Sequence, residues 1–578
     1  NHDPQQWAAS KQPPIYQAGP QGWKLTTAER KRILLDHIYG VDIDPQAVEV
    51  TKLSLLLRVL EGEKNLVLFH NERALPDLAD NIKCGNSLIG PDFYEGKQFT
   101  MFDDDERLRI NAFDWHAEFP HAFQDGGFDA VIGNPPYIRI QTLKETQPES
   151  IPYFSRHYQA ASKGNYDIYV VFVEQALRLL SSRGRMGYIL PHKFFNAQYG
   201  QPLRKLIADG KHLSHVVHFG DQQVFAGATT YTCLLILGQQ PTQSITVAKV
   251  STLLDWQSTR VCKRGEISHE GLSDSEWNFV VGNDANLFTR MVAFPTKLVD
   301  IGHLFVGLQT SADTVFLFKE YHNTPHPVTE VYSKELNSII PIETALLKPV
   351  VRSGEIGRYW AFPSARVLFP YERANGLFCL ISESQLKLDF PLAWTYLVKN
   401  KTLLSNREHG KFRTSGWHQL YPKNLDVWDQ PKIMLPYMIT RLAAYYDVNS
   451  LYFVNVTTGG FGLTLTSNDL SLQYVTGLLN SRLLDWFLKQ VSTHFHGGYF
   501  AANKQFLAQL PIRIIDFDDL HDVAHHHRIV ELVEGMLSLH GSLSSVKTAD
   551  ERNAIQRQID ATDKEIDRLV YALYGLTD

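Results

Sequence analysis

The first part of the chain alternates short apolar runs with stretches of helical periodicity. A threonine pair can cap a helix that ends near His37, and a short strand follows at residues 38–42. Apolar positions at helical spacing predict a second helix over residues 47–60, and another short strand is expected over residues 81–88. Alternation of this kind is typical of a doubly wound α/β sheet.

The same alternation continues and ends in two consecutive strands, which predict a hairpin. Residues 144–163 have no clear periodicity and are expected to form a mobile loop, and residues 1–23 are expected to be an extended lead-in. The remaining predicted elements are strands over residues 128–132, 185–191, 212–219 and 230–237 and helices over residues 166–180 and 199–208.

Length, charge and cysteine content limit the class of protein. The 578 residues are enough for about two to four domains, and no apolar run is long enough to span a bilayer. The four cysteines include no C-x-x-C pair, which favours a reducing compartment and argues against structural zinc. Because the net charge is -6, any DNA binding depends on a local basic face.

Candidate chemistry is concentrated between Phe128 and Tyr137. The apolar, β-branched start of this stretch predicts a buried strand that ends at Gly133. Asn-Pro-Pro-Tyr follows at once, and its two prolines stiffen the loop because they fix φ and donate no N–H. Ligands bind at the carboxyl ends of strands in open α/β sheets, so this loop is a candidate site.

The loop carries groups that could activate an exocyclic amine such as adenine N6. Such an amine is a poor nucleophile because its lone pair is delocalised into the ring. The Asn134 side-chain oxygen and the Pro135 carbonyl can each accept one N–H, which localises the lone pair on nitrogen, and Tyr137 can stack on the ring. The alternative is a rigid Pro-Pro turn with Tyr137 in the core, since short motifs also occur by chance.

Two further strand ends carry polar side chains that suit a nucleoside. A carboxylate at the end of a strand, such as Asp42, can accept both ribose hydroxyls, and Ile43 can cover an adenine face. The alternative is that the acid caps the next helix, a role that suits Asp44 better. Asn86 or Ser87, at the end of the following strand, would lie near a bound adenine.

Four segments, in this order, resemble the gamma-class DNA adenine-N6 methyltransferases, and most closely the type IIG branch that is fused to restriction enzymes. The resemblance implies a class I (Rossmann-like) methyltransferase domain with a mixed sheet, which uses S-adenosylmethionine as its cofactor. The four segments are Gly40–Pro45, Ile82–Leu88, Asp129–Tyr137 and Gly220–Phe225.

The resemblance also implies roles for single residues. Asn134, Pro135 and Pro136 would form the catalytic loop, with Tyr137 and Phe225 on either side of a flipped adenine. The cofactor would be held by Asp42, Ile43, Asn86, Ser87 and Asn134, although the family usually carries Asp where Asn86 stands.

One motif of the family has no counterpart in this sequence. A glycine-rich loop that supports the cofactor's methionine part should precede Asp42, and nothing in residues 1–39 matches it. The sequence also begins at Asn1 rather than at a methionine. We therefore expect a missing amino-terminal segment, which would also carry any fused nuclease.

The carboxyl-terminal half resembles a TaqI-like target-recognition domain in four segments: Phe305–Thr310, Leu347–Gly354, Leu478–Leu483 and Leu507–Ile512. Basic residues outnumber acids between residues 397 and 441, and aromatic residues are interleaved with them. Basic side chains position a phosphate backbone, although ordinary surface lysines would give the same pattern. The candidate DNA-binding residues are Lys399, Lys401, Arg407, Lys411 and Arg413.

The combined interpretation is a site-specific enzyme that methylates adenine N6 in duplex DNA after base flipping, within a restriction–modification or phage-defence system. We expect a methyltransferase domain at residues 1–242, an α+β recognition domain at 243–515 and a helical tail at 516–578 that packs on it. A monomer in the bacterial or archaeal cytoplasm is expected, with no metal and no membrane. The alternatives are a DNA-recognition module with an incomplete cofactor site and a methyltransferase acting on protein glutamine amides.

Overall fold

The computed structural model divides the chain into two compact units, Asn1–Val281 and Gly282–Asp578. No helix among the residues it describes is long and apolar enough to cross a bilayer. The described residues are 4–19, 22–61, 76–95, 104–225, 227, 230–320, 327–413, 416–454, 459–466, 470–543 and 545–576.

The first unit is an α/β domain. Its helices are α1 (Pro4–Ala8), α2 (Thr27–His37), α3 (Pro45–Leu60), α4 (Asp104–Ile110), α5 (Trp115–Glu118), α6 (Pro120–Gln124), α7 (Ile140–Thr146), α8 (Ser150–His157), α9 (Tyr169–Leu179), α10 (Gln201–Asp209) and α11 (Leu253–Thr259). Its strands are β1 (Ile15–Gly19), β2 (Gly22–Leu25), β3 (Gly40–Asp42), β4 (Ile82–Cys84), β5 (Phe128–Gly133), β6 (Leu180–Pro191), β7 (Leu213–His218), β8 (Thr232–Gly238), β9 (Ser244–Lys249) and β10 (Lys263–Ser268).

A six-stranded mixed sheet in the order β10-β9-β7-β8-β6-β5 forms the centre of this unit. β5 runs parallel to β6, and β8 lies antiparallel between β6 and β7, so the two expected strands pair as a hairpin, although β9 and β10 extend the sheet beyond it. β3 and β4 form a separate parallel pair. The mixed sheet and the α/β class expected from the sequence are both confirmed.

β5 differs from expectation in its burial. The sequence predicted a buried strand, but Ile132 is 85% exposed. The reason is position, because β5 is the edge strand of the six-stranded sheet and pairs only with β6 among the described residues. Apolar composition identified the strand correctly and could not show where in the sheet it lies.

Two segments expected to be irregular are ordered. Residues 144–163 contain the end of α7 and all of α8, and Phe154 and Tyr158 are buried in the main core. These helices are too short for a clear period, since Pro148 lies between them. The lead-in at residues 1–23 contains α1 and most of the β1–β2 hairpin.

The boundary of the first unit lies beyond residue 242. β9 pairs in parallel with β7, with His215 opposite Thr246, and β10 pairs with β9. Ile245 and Val247 on β9 are fully buried in the same core. The segment assigned by sequence to the start of the recognition domain therefore completes the sheet of the first unit.

The second unit contains several small sheets and a layer of long helices. Its helices are α12 (Asp284–Val292), α13 (Leu298–Ile301), α14 (Asp313–Phe316), α15 (Glu383–Asp389), α16 (Pro391–Lys399), α17 (Lys401–Gly410), α18 (Leu472–Leu479), α19 (Arg482–Val491), α20 (Lys504–Leu507), α21 (Leu520–Leu543) and α22 (Ala549–Leu573). Its strands are β11 (Gly302–Val306), β12 (Leu317–Glu320), β13 (Val328–Ser333), β14 (Ser338–Glu343), β15 (Leu347–Val351), β16 (Ile356–Gly357), β17 (Trp360–Ala361), β18 (Ala365–Leu368), β19 (Tyr371–Ala374), β20 (Leu377–Leu380), β21 (Lys432–Pro436), β22 (Met438–Ile439), β23 (Tyr445–Asp447), β24 (Tyr452–Phe453), β25 (Gly460–Leu465), β26 (His494–Phe495) and β27 (Tyr499–Ala501).

The last two helices pack on this unit through apolar faces. Ile566 and Val570 on α22 are fully buried in one cluster with Leu484 on α19 and Val533 on α21. Asp563 on the same helix pairs with Arg358 and Arg441 of the domain body. The tail is therefore part of the core of the second unit.

Candidate functional site

The Asn134 loop begins where the backbone of β5 lies close to an aromatic side chain of its neighbour β6. A Cβ atom at Gly133 would lie 2.9 Å from the Tyr188 ring on β6, so only glycine fits there. Beyond it, Pro135 is buried while Asn134 and Pro136 are exposed. The buried proline anchors the loop, and the amide side chain of Asn134 is left open to solvent at the end of the strand.

Tyr137 holds the side chain of Asn134. Its hydroxyl donates to Asn134 Oδ1 at 2.8 Å, and it also lies 3.2 Å from the carbonyl oxygen of Ile189. Its ring is half-buried and packs edge-on against Tyr169 at 6.4 Å between centroids. Burial raises the pKa of Tyr137 to about 12, so its hydroxyl remains a proton donor at neutral pH.

Asp42 and Asp44 divide two roles between them at the end of β3. Asp44 caps α3, because its Oδ1 accepts the backbone N–H of Gln46 at 2.8 Å. Asp42 Oδ1 accepts the N–H of Asp44 at 2.9 Å, and its carboxylate is exposed. Ile43 is 45% exposed beside it. This is the arrangement expected if Asp42 faces a ribose and Asp44 caps the helix.

The end of β4 lies directly beside Asp42. The N–H of Gly85 donates to the carbonyl oxygen of Asp42 at 2.9 Å, and Asn86 and Ser87 follow. The Asn86 side-chain oxygen accepts the N–H of Leu88 at 3.1 Å, which leaves its NH2 group as the available donor. An exposed carboxylate, an exposed aliphatic side chain and an amide donor fit the ribose and adenine of S-adenosylmethionine.

Phe225 lies in the loop between β7 and β8 and is half-buried. β5, β6 and β7 all run in the same direction, so the loops that follow β5 and β7 lie at the same edge of the sheet. The contacts among the described residues include none between Phe225 and Tyr137. Their pairing around a base stays a prediction.

Three residues near the loop escaped the sequence interpretation. Tyr169 and Tyr199 share a hydrogen bond of 2.8 Å between their hydroxyls, and Tyr199 also donates to Asp167 Oδ2 at 3.3 Å. Burial raises the pKa of Asp167. The sequence analysis placed these residues in two predicted helices, at residues 166–180 and 199–208, and an acid beside aromatic residues at the start of the first was the only signal of the cluster.

The structure changes the expected DNA contacts at Arg407. This side chain is 6% exposed, and its guanidinium donates to backbone carbonyls rather than to solvent. Burial lowers its pKa to about 10, still well above neutral pH. It is therefore a structural cation and not a direct DNA contact. The accepting carbonyls are those of Leu404, Thr310, Trp417 and Gln419.

The other four candidate DNA-binding residues are exposed at their side chains: Lys399, Lys401, Lys411 and Arg413. Two aromatic residues counted with the basic stretch, Trp417 and Trp428, are buried. Lys432 is also buried, where it forms a 2.7 Å ion pair with Asp447. Part of the apparent basic and aromatic face thus belongs to the interior.

Two family descriptions match the sequence of this chain. Residues 36–225 match the Eco57I restriction-modification methylase family, and residues 395–512 match the TaqI-like C-terminal specificity domain. The chain combines an Eco57I-type methylase domain with a TaqI-like specificity domain. Both parts of the resemblance seen in the sequence are confirmed. The cofactor expected of such a methylase domain is S-adenosylmethionine.

Curated relatives are similar to this chain over nearly all or part of its length. The type II restriction enzyme and methyltransferase RM.Eco57I of Escherichia coli is 27% identical over 98% of this chain, which spans 56% of that protein's length. The type II methyltransferase M.PaeR7I of Pseudomonas aeruginosa is 24% identical over 78% of this chain and 71% of its own. The adenine-specific methyltransferase PglX of Streptomyces coelicolor is 28% identical over 30% of this chain and 15% of its own.

A solved structure has a similar fold. The type IIL restriction-modification enzyme MmeI, determined in complex with DNA, matches with a TM-score of 0.54 over 96% of this chain and 73% of that one. The two sequences are 11% identical, so this likeness concerns the fold alone.

Proposed function

We propose that this chain transfers a methyl group from S-adenosylmethionine to the N6 amine of adenine within a specific duplex DNA sequence. The observation that carries the proposal is the exposed Asn134 amide at the end of β5, held by the Tyr137 hydroxyl within a methylase domain. A stiff loop that offers the Asn134 side-chain oxygen and the Pro135 carbonyl as acceptors can activate an amine without a general base.

In the proposed reaction, Asn134 Oδ1 and the Pro135 carbonyl accept the two N–H bonds of the target amine. Nitrogen is thereby drawn toward tetrahedral geometry, and its lone pair becomes available. The cofactor supplies an electrophilic methyl group on a sulfonium. The amine attacks that carbon, the carbon–sulfur bond breaks, and a neutral thioether leaves. The extra proton on nitrogen is then lost to water, so neither a metal nor a general base is needed.

The target base has to leave the helix in this proposal. Its amine is engaged in pairing within a duplex and cannot reach Asn134 there. The Tyr137 ring is half-buried beside the amide, where it can stack on an extruded base. Phe225, at the same edge of the sheet, is the candidate for the opposite face.

We further propose that the cofactor site is completed by a segment outside this sequence, which could also carry a nuclease. Two observations support this. Residues 1–39 contain no glycine-rich loop for the cofactor's methionine part, and the outer edge of β5 has no strand beside it among the described residues. The same observations favour a second candidate function, a DNA-recognition module without catalysis.

One assay separates these possibilities. The chain is incubated with plasmid DNA and S-adenosylmethionine carrying a labelled methyl group, and the DNA is digested to nucleosides for mass spectrometry. Labelled N6-methyladenine supports the proposal, and labelled N4-methylcytosine would contradict the choice of base. Label in glutamine amides of added protein instead of DNA would favour the protein methyltransferase.

If no label is transferred, titration calorimetry with S-adenosylmethionine distinguishes the two remaining cases. Weak binding that becomes tight when an upstream segment is restored supports a shared cofactor site. No binding in either form would leave only the recognition function.

A further inference from the structure

The basic stretch of the specificity domain is folded around the buried guanidinium of Arg407. This one side chain joins three segments: the turn after β11 at Thr310, Leu404 within α17, and residues 417–419. One atom of the guanidinium, Nη2, donates to two carbonyls, those of Trp417 and Gln419, each at 2.8 Å. Such a guanidinium fixes the position of the backbone around it.

The residues next to this anchor have unusual backbone conformations. Glu408 and His409 have φ values of +50° and +57°, and Ser311 has +49°. These left-handed conformations are unfavourable for residues with a Cβ, and they persist only where surrounding structure enforces them. The Ser311 hydroxyl donates to Glu408 Oε1 at 2.6 Å, which ties the two strained turns together.

The fixed turns bring two lysines to one tyrosine. Lys411 Nζ donates to the Tyr421 hydroxyl oxygen at 2.9 Å and lies 4.4 Å from the ring centroid, while Lys423 Nζ lies 5.0 Å from it. Both lysines are exposed and the tyrosine is half-buried. The backbone N–H of Tyr421 donates to Gln309 at 2.8 Å, which attaches this group to the turn after β11.

The chemistry of this cluster is that of an anion site. An ammonium has no acceptor, so Lys411 must donate to the phenol oxygen, and the hydroxyl hydrogen has to point elsewhere. Two cations and a free O–H then face solvent together. Glu408 is an opposing charge that also acts on Tyr421, and its carboxylate is oriented by the hydrogen bond that it accepts from Ser311. The bond from Lys411 also lowers the pKa of Tyr421, which makes its hydroxyl a better donor.

We propose that Lys411, Tyr421 and Lys423 bind one phosphate of the DNA backbone and that Arg407 is the positioning residue that holds them together. This inference rests on the proposed function. A phosphate is favoured over a base edge because the cluster combines hydrogen-bond donors with two positive charges, and a phosphate carries a negative charge whereas base edges are neutral. Lys423 and Tyr421 thus join the DNA surface, and Arg407 acts on it indirectly.

The test uses the full chain and a fluorescent duplex of mixed sequence, without cofactor, so that it depends neither on catalysis nor on the recognised sequence. Affinity is measured by anisotropy over a range of salt concentrations. Lys411→Gln and Lys423→Gln should each reduce the slope of log K against log salt by about one, since each phosphate contact releases about one counterion. Lys564→Gln, an exposed lysine on α22, is the matched control and should change nothing.

Tyr421→Phe separates a phosphate contact from a general charge effect. The hydroxyl is neutral, so its loss should weaken binding about fivefold at every salt concentration and leave the slope unchanged. Arg407→Lys keeps the charge but cannot reach four carbonyls, and it should reduce the slope as the loss of both lysines does. A thermal unfolding curve confirms that this variant is folded, and the three surface variants carry the test if it is not.

The outcomes distinguish this inference from the proposed function. If wild-type protein shows no salt-dependent binding to the duplex, DNA is not its partner and both fail. If wild type binds and the Lys411, Lys423 and Tyr421 variants all behave like Lys564→Gln, the phosphate site is wrong while the proposed function stands. An unchanged slope for folded Arg407→Lys would remove the positioning role.

Discussion

At the scale of single residues, the hydroxyl of Tyr137 has a role that is separate from the stacking of its ring. It donates to the amide oxygen that would receive the target amine, and the Ile189 carbonyl offers it a second acceptor at 3.2 Å. When an amine approaches Asn134, the hydroxyl can therefore turn to Ile189 without losing a partner. The two acceptors of the Tyr137 hydroxyl therefore allow it to orient the Asn134 amide and still leave the amide oxygen accessible to the target amine.

This arrangement predicts the effect of Tyr137→Phe. The variant keeps the ring for stacking but frees the Asn134 amide, so single-turnover methyl transfer should slow about tenfold, which is about 1.4 kcal/mol of barrier, with DNA affinity unchanged. Tyr166→Phe is the control, because the Tyr166 hydroxyl is buried without a partner in the described part of the chain. If the two variants transferred the methyl group at equal rates, the Tyr137 hydroxyl would have no role in transfer and only the stacking of its ring would remain.

Removal of the amide itself should have a larger effect. Asn134→Ala takes away one of the two acceptors for the target amine, so transfer should fall far more than tenfold while specific DNA binding stays nearly intact. Rates and affinities are measured on the same duplex. Transfer within about tenfold of wild type would mean that Asn134 does not activate the amine, since this is only about 1.4 kcal/mol.

Asp167 gives a prediction about pH. Burial raises its pKa above the ordinary value of 3.8, against the opposing effects of Lys193, Arg139 and the Tyr199 hydrogen bond. The charged form therefore weakens folding at neutral pH, and this penalty disappears as the pH falls through the raised pKa toward 3.8. Asp167→Asn should raise Tm at pH 7 and give no gain at pH values below the unfolded pKa.

Calorimetric or fluorescence melting curves at both pH values check this result. Asp125→Asn, at an exposed turn position, is the surface control. A lower Tm for Asp167→Asn at pH 7 would mean that the attraction to Lys193 and Arg139 outweighs the cost of burial.

At the scale of elements, the exposed side of β5 has a consequence for solution behaviour. An edge strand with an exposed aliphatic side chain is a template for pairing with another chain. Ile132→Lys should reduce self-association of the isolated protein, measured by light scattering, without lowering Tm, because Ile132 is 85% exposed. Leu254→Lys is the control at a residue that is 79% exposed outside any sheet. A clear drop in Tm would show that Ile132 is covered in solution.

The elements that sequence predicted well are those with local signals. Thr26 caps α2 and Asp44 caps α3, as expected, because a capping side chain bonds to backbone only two or three residues away. The position of β5 at a sheet edge depends on which distant segments pair with it. The two short helices after the Asn134 loop were missed for a similar reason, since their stability depends on burial in the core of the first unit.

The candidate site divides in the same way. The positions of Asp42 and Asn134 at strand ends were predicted because polar residues directly after apolar strands are visible in the sequence. Arg407 was misjudged because the sequence does not show whether a basic side chain faces solvent or buried carbonyl groups. The cluster around Tyr421 joins residues from both sides of a turn and depends on contacts with residue 309, so spacing alone could not show it.

At the scale of the whole molecule, the unit boundary at Val281 can be tested by truncation. A chain ending at residue 281 keeps β9 and β10 and should unfold cooperatively when monitored by circular dichroism. A chain ending at residue 242 loses the fully buried Ile245 and Val247, worth about 2–5 kcal/mol each, and should be largely unfolded. Equal stability of the two fragments would contradict the assignment of β9 to the first sheet.

The anchor at Arg407 also bears on how sequence specificity could be altered. All four of its acceptors are main-chain carbonyls, which every amino acid supplies. Neighbouring side chains can therefore be exchanged without removing what holds the loop in place. A combinatorial library that randomises exposed positions such as Lys401 and Arg413, and keeps Arg407 constant, should yield many folded variants with altered preferences. The specificity domain would tolerate changes at its surface because the hydrogen bonds of Arg407 go to main-chain carbonyls and do not depend on which side chains those residues carry.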